Sequence, residues 1–239
     1  MIQTHEPAPK RRSITGQLLL MGHRLGVHPV PHGADGRSLR WVGPTRPAIL
    51  PLDGIRLPDR FVPILADPAW SVGPAADPRT IVEACDGGTV VAASEWAESP
   101  PASWIAGEMR QSYLELAGGH HIQAIGVRRN GRLVAGLFGI AIGAVFFGEG
   151  LFSRVRDGGE VALAELLGRL HAGGFRFVDL RFLGGHSASV ETKEHVRGRY
   201  RAPESALNAK ATFPLSGGEM WRRSLPDLQP AAARHAQVA

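Results

Sequence analysis

Three side chains could do chemistry: Glu149, Asp179 and Arg181. Glu149 stands inside Phe146-Phe-Gly-Glu-Gly-Leu-Phe-Ser-Arg154, a carboxylate among large apolar residues. Burying it unpaired would be costly, so it faces a cleft or has a partner. Spacing alone offers Arg154 or Arg156 for a strand-end ion pair. Asp179 and Arg181 are two apart, so on a strand they share one face. An aspartate beside an arginine stays ionised, and the plain reading of that spacing is again a structural ion pair. His120-His121, and His28 with His32, suggest a metal only weakly, because no third ligand follows at a metal-like spacing. Cys85 is the single cysteine and has no activating neighbour, which points to the core. One cysteine also excludes an intrachain disulfide framework, a zinc ribbon and an iron–sulfur site. There is no G-x-S-x-G elbow and no Walker or dinucleotide glycine pattern.

The elements that must position these residues follow from periodicity and punctuation. Gln17–Leu25 reads as a short helix stopped at Gly26, followed by a turn-rich run from His28 to Gly36. Arg40–Val42 and Ala48–Leu50 read as short strands. Asp77 caps a helix that has Pro78 at its first position and reaches Cys85, with Gly87-Gly88 after it. Ala92–Pro101 is a loop. Ser103 can cap a helix to Ala117, on which Ile105, Met109, Tyr113 and Leu116 recur at helical spacing. Strands Ile122–Arg128, Leu133–Ile140 and Ala144–Phe147 follow, the first two joined by the hairpin signal Asn130-Gly131. A helix over Glu160–His171 and a strand over Phe175–Phe182 complete an α+β pattern.

The chain has 239 residues, 44% apolar and 21% charged, enough to bury a core without staples. Its net charge is +5, and Lys193–Arg223 carries seven basic against three acidic residues, so a polyanionic partner is allowed beside the plainer reading of a solvated basic tail. The uncharged stretch Leu133–Gly148 is 16 residues, short of the ~20 a spanning helix needs, and its glycines favour strands. The apolar patch Leu18–Met21 is too short for a signal sequence. The expected division is a disordered leader over 1–15, a small N-terminal domain over 16–57, a larger domain over 58–215 and a tail over 216–239.

Two stretches resemble the bacterial leucyl/phenylalanyl-tRNA–protein transferases. Gly131-Arg-Leu-Val-Ala-Gly-Leu-Phe-Gly-Ile-Ala-Ile-Gly-Ala-Val-Phe-Phe-Gly-Glu-Gly-Leu-Phe-Ser-Arg154 is similar to that family's G-x-L-V-G-G-x-Y-G-V-x-x-G-x-x-F-x-G-E-S-M-F-S-R. Gly174-Phe-Arg-Phe-Val-Asp-Leu-Arg181, with His186-Ser-Ala-Ser189, is similar to G-F-x-L-I-D-C-Q and H-L-x-S-L-G-A. Ser103-Trp-Ile105, Arg40-Trp-Val-Gly-Pro44 and Pro51–Pro58 support it, in matching order from about Gly16 to Tyr200.

The resemblance implies a small N-terminal domain plus a GCN5-related N-acetyltransferase-like mixed sheet flanked by helices. It implies transfer of leucine or phenylalanine from aminoacyl-tRNA to the N-terminal Arg or Lys of a protein, marking that protein for degradation in the cytoplasm. The implied partners are aminoacyl-tRNA and a protein or peptide N-terminus, with no membrane, no metal and no cofactor, and the chain is expected to act as a monomer. Trp104, Leu137, Phe146, Leu151, Leu166 and Leu170 would line the aminoacyl side-chain pocket, with Ser153 also on the substrate. Such a pocket selects by burial, ~25 cal/mol per Å². Glu149, Asp179 and Arg181 would be catalytic: Glu149 holding the cationic acceptor or its α-amine, Asp179 behind the reacting centre.

Departures from the family pattern concentrate on polar positions. Arg181 stands for a glutamine, and an arginine cannot act as a base. Gly150 replaces a serine, Glu160 a lysine, Gly126 a glutamate, and Val190-Glu191-Thr192 interrupts the L-G-A that follows Ser189. Val42 replaces the second tryptophan of a pair. A non-catalytic module binding aminoacyl-tRNA or an N-terminus is one alternative. A CoA-dependent N-acetyltransferase is another, but Arg156–Val161 puts Asp157 and Glu160 where pyrophosphate would sit.

Overall fold

A computed structural model of the chain describes residues 14–32, 38–43, 49–53, 55–86, 107–180, 191–192 and 201–220. Helix α1 (Gly16–Leu25) starts where Thr15 accepts from the Leu18 N–H and stops at Gly26, whose φ of 76° only glycine adopts cheaply. β1 (His28–His32) and β2 (Ser38–Val42) then pair antiparallel. The run expected to be turns is thus half strand. Pro29 and Pro31 are two apart, so their missing donors lie along one edge and leave the other edge free to pair. The Trp41 ring lies over α1 where a side chain at Gly22 would stand, which seats this hairpin on the helix.

β3 (Ile49–Pro51), β4 (Ile55–Arg56), α2 (Phe61–Ala66) and β5 (Trp70–Pro74) lead to α3 (Pro78–Asp86) and α4 (Gly107–Gly118). Asp77 accepts from the Arg79 N–H at the start of α3, as its sequence signal predicts. α2 and β5 had no sequence signal strong enough to assign. The expected cap of α4, Ser103, lies outside the described residues.

β6 (Ile122–Arg129), β7 (Arg132–Ile142) and β8 (Val145–Ser153) form an antiparallel run. Asn130 and Gly131, at φ 52° and 76°, make the expected tight turn. α5 (Gly158–Ala172) crosses to β9 (Phe177–Asp179), which lies parallel to β8. The six-stranded mixed sheet has the order β3-β9-β8-β7-β6-β5; β10 (Glu191–Thr192) pairs with β4, and α6 (Glu204–Leu207) follows. The uncharged stretch around Leu133–Gly148 is therefore strand, and no described helix is long and apolar enough to cross a membrane.

The sheet has helices on both faces. One apolar cluster joins it to α2 and α5 through residues such as Phe61, Leu137, Phe146 and Leu166. The other joins it to α1, α3 and α4 through Leu19, Ile81, Tyr113, Phe138 and Phe147. Cys85 is in this second cluster, and burial raises its thiol pKa, so it is core as expected.

Candidate active site

Glu149 is placed by an irregularity in β8. Gly139 of β7 faces Gly148, and Phe138 faces Gly150; Glu149 between them is the extra residue of a β-bulge. In a regular strand Phe146 and Leu151, five apart, would point to opposite faces. The bulge resets that alternation. Phe146 and Leu151 both pack on the α5 side, while Phe147 and Phe152 both pack on the α1–α4 side.

The Glu149 side chain turns towards α1 and α4 and is 2% exposed. His23 Nε2 lies 2.6 Å from Oε1, and the Tyr113 hydroxyl donates to Oε2 at 2.6 Å. The spacing-based partners Arg154 and Arg156 are not the ones the fold supplies. Arg154 lies over the Phe152 ring and donates to the Leu133 carbonyl, because β8 runs on to Ser153 and carries it away. His23 itself is pinned at the last turn of α1, with Nδ1 2.7 Å from the Leu19 carbonyl. α1 is held on α4 by the Gly16 N–H donating to Glu115 and the Ser112 hydroxyl donating to the Ile14 carbonyl.

These bonds fix the protons. A carbonyl only accepts, so Nδ1 carries a hydrogen. With a second proton on Nε2, His23 donates to Oε1 and its charge offsets that of Glu149, so the pair is neutral as a unit. Burial, the largest single influence, pushes the His23 pKa down. The charge and hydrogen bond of Glu149, the Leu19 carbonyl and the charge of Asp179 together outweigh it and leave the pKa above 6.5. Burial, then the charge and hydrogen bond of Glu149, push the Tyr113 pKa well above 10, so Tyr113 stays a donor.

The His28 ring stands edge-on to His23 with centroids 4.8 Å apart, and the ligand atoms of His23, His28 and Glu149 lie within 4.8 Å of one another. The fold thus supplies the third group that spacing did not, from 126 residues away. The donor set does not fit an ion as it stands. Ligands at ~2.0–2.2 Å from a tetrahedral zinc are more than ~3 Å apart, whereas His23 and Glu149 are at hydrogen-bond distance.

Asp179 ends β9, in register with Phe147 of β8 and Ile49 of β3, and is 1% exposed. Phe147 and Ile49 belong to the α1–α4 face, so Asp179 shares that face with Glu149. Arg181 and Trp104 lie outside the described residues.

A family model described as leucyl/phenylalanyl-tRNA protein transferase matches residues 49–204. A leucyl/phenylalanyl-tRNA–protein transferase of Rhodopseudomonas palustris (strain HaA2) is 33% identical over 201 residues, 84% of this chain and 86% of that protein. One from Ruegeria pomeroyi is 33% identical over 202 residues, covering 84% and 90%. One from Cereibacter sphaeroides (strain ATCC 17025) is 34% identical over 206 residues, covering 86% and 91%.

The chain belongs to the leucyl/phenylalanyl-tRNA protein transferase family. Tyr113, Glu149 and Asp179 fall inside the matched residues, whereas His23 precedes them. The residues that the transferase motifs mark for the side-chain pocket are brought together. Leu137, Phe146, Leu151, Leu166 and Leu170 join one cluster between the sheet and α5, each no more than 2% exposed. They lie across the sheet from the Glu149 carboxylate. Ser153 donates to the Val155 carbonyl at 2.6 Å, at the turn into α5. A separate cleft of about 860 Å³ is lined by Asp77, Arg79, His120, Lys210 and Phe213 among others, and by none of these pocket residues.

Sequence reasoning missed His23 and the role of Tyr113. Tyr113 sat on an apolar helical stripe and read as core; a tyrosine among Met109 and Leu116 still needs a partner for its hydroxyl, and that was the available signal. His23 gave none, since Glu149 is 126 residues away in sequence.

Proposed function

We propose that this chain transfers leucine or phenylalanine from aminoacyl-tRNA to the N-terminal Arg or Lys of a protein, making a degradation signal. The observation that carries this reading is the family match spanning a buried, hydrogen-bonded Glu149 with Asp179 on the same face. The acceptor's α-amine attacks the ester carbonyl of the aminoacyl-tRNA. A C–N bond forms, the ester C–O bond breaks, and the proton lost by the amine leaves with the ribose oxygen. An α-amine with a pKa of ~7.7–8.0 is partly free at neutral pH, so a strong base is not required. Catalysis then rests on holding amine and ester together and on donors to the developing oxyanion.

In this reading Glu149 and Asp179 orient the amine, and Arg181 stabilises the oxyanion or grips a phosphate. The aminoacyl side chain enters beside Glu149, where the described β8–β9 register ends at Phe147 and Asp179. It is buried against Leu137, Phe146, Leu151, Leu166 and Leu170, with Trp104 and Ser153 also binding substrate. The larger domain is acetyltransferase-like, and the N-terminal unit over 16–57 docks on it and lends β3 to its sheet. The protein acts as a cytoplasmic monomer without a cofactor. CoA use is disfavoured because Asp157 precedes α5 and Glu160 lies in its first turn, placing negative charge where pyrophosphate would need donors.

The test is transfer of labelled phenylalanine or leucine from charged tRNA to peptides beginning with Arg, Lys, Asp, Glu or Met. The native chain and Arg181→Gln are run side by side. Transfer to Arg or Lys is expected. Transfer only to acidic N-termini would assign acceptor choice to Arg181, and tRNA binding without transfer would make the chain a binding module.

A further inference from the structure

The N-terminal helix reaches the Glu149 carboxylate through His23, a residue outside the family-matched stretch. His23 is buried, and both its ring nitrogens are engaged, by the Leu19 carbonyl and by Glu149 Oε1. Tyr113 takes the opposite oxygen from α4. Two bonds from opposite sides leave the carboxylate no rotation about its terminal bond. Glu149 has only Gly148 and Gly150 directly beside it, while Phe147 of the same strand packs edge-on against the His23 ring with centroids 4.9 Å apart, so the two hydrogen bonds set the carboxylate's direction and Phe147 backs the histidine that makes one of them.

We propose that His23 is a positioning residue for the transfer reaction, holding Glu149 in one orientation and cancelling its charge through a shared proton. The proposal rests on the transferase reading above. Its consequence for specificity follows from the charge count. With His23 and Glu149 neutral as a pair, Glu149 offers the acceptor a directed hydrogen-bond acceptor atom in place of a field.

The groups that bear on His23 are Glu149 from β8, Tyr113 from α4, His28 from β1 and Asp179 from β9. Loss of the shared proton leaves a lone pair on Nε2 facing a carboxylate. Restoring a donor there would require the imidazole to give up its bond to Leu19. Activity therefore falls as pH rises through the His23 titration. A glutamine at this position keeps a donor but has no proton to lose.

The experiment measures kcat and KM for phenylalanyl transfer to an Arg-initiated peptide from pH 6 to 9, with the native chain, His23→Ala and His23→Gln, all checked for folding by circular dichroism. Expected is a loss of at least tenfold in kcat for His23→Ala with KM for the peptide little changed. His23→Gln should recover part of that kcat and lack the alkaline fall of the native profile. If His23→Ala does not fold, His23→Gln alone decides through its pH profile. Native transfer with unaltered kcat and unaltered pH profile in both variants would overturn the role of His23 while leaving the transferase reading intact. Absence of transfer by the native chain would overturn the transferase reading, and this role with it.

Discussion

His23 and Glu149 are 126 residues apart in the chain and 2.6 Å apart in the folded protein, the first in the last turn of α1 and the second at the bulge of β8. Their contact ties the small N-terminal unit to the central sheet. It also makes the protonation of one residue inseparable from that of the other.

Tyr113→Phe removes one hydroxyl and leaves Glu149 Oε2 without its donor. A hydrogen bond to a charged group contributes ~1.5–3 kcal/mol, and the substitution opens almost no cavity. Stability should fall by about that amount in denaturant titration. Transfer, as kcat/KM, should fall roughly tenfold, the equivalent of ~1.4 kcal/mol. A variant as stable and as active as the native chain would show that the bond is idle.

Glu149→Gln tests the sign of the His23 shift. The native His23 pKa lies above the unfolded value of 6.5. Its contribution to stability is therefore fully present below ~6.5 and is lost as pH rises through the higher folded value. Without Glu149, burial is the dominant influence and the shift reverses, so that part of the stability profile should flatten or invert. Histidine NMR titration reads the shift directly, and an unchanged His23 pKa in the variant would contradict the assignment. Transfer by the variant should be lost to below a hundredth of native.

Arg169 and Glu165 form a buried pair one helical turn apart on α5, at 2.7 Å. The same guanidinium donates to the carbonyls of Pro214, Ser216, Gly217 and Gly218, and Glu165 accepts the Met220 N–H. This strap carries Phe213, whose ring stacks on that of Phe146. Arg169→Met would leave the buried Glu165 carboxylate without its cation, a cost of about 3–5 kcal/mol. The double replacement with Glu165→Leu should cost less. Equal losses in both, measured by urea denaturation, would show that the charge itself is not what the strap relies on.

Cys85 gives a simple probe of the α3 packing. Burial raises its thiol pKa and keeps it from reagents. A maleimide should label the native chain slowly at neutral pH and at once in urea. Fast native labelling would place α3 away from the sheet.

Several elements were legible because their signals are local. Thr15 and Gly26 bound α1, Asp77 and Pro78 begin α3, and Asn130-Gly131 turns β6 into β7, each through backbone geometry fixed within a few residues. The apolar stripe of α5 and the motif around Glu149 were equally readable. β1 was not, because prolines at 29 and 31 read as turn residues until a partner strand is known to lie on one edge only.

The sequence by itself determined the family and most of the elements that carry its motifs, since periodicity, punctuation and motif spacing act over short distances along the chain. Tertiary structure decided the partners of Glu149. One extra residue in β8 sets which face each side chain occupies, and the docking of α1 on α4 brings His23 to the same point. The first depends on the strand register between β7 and β8, and the second on contacts between segments 99 to 126 residues apart, which no local pattern encodes.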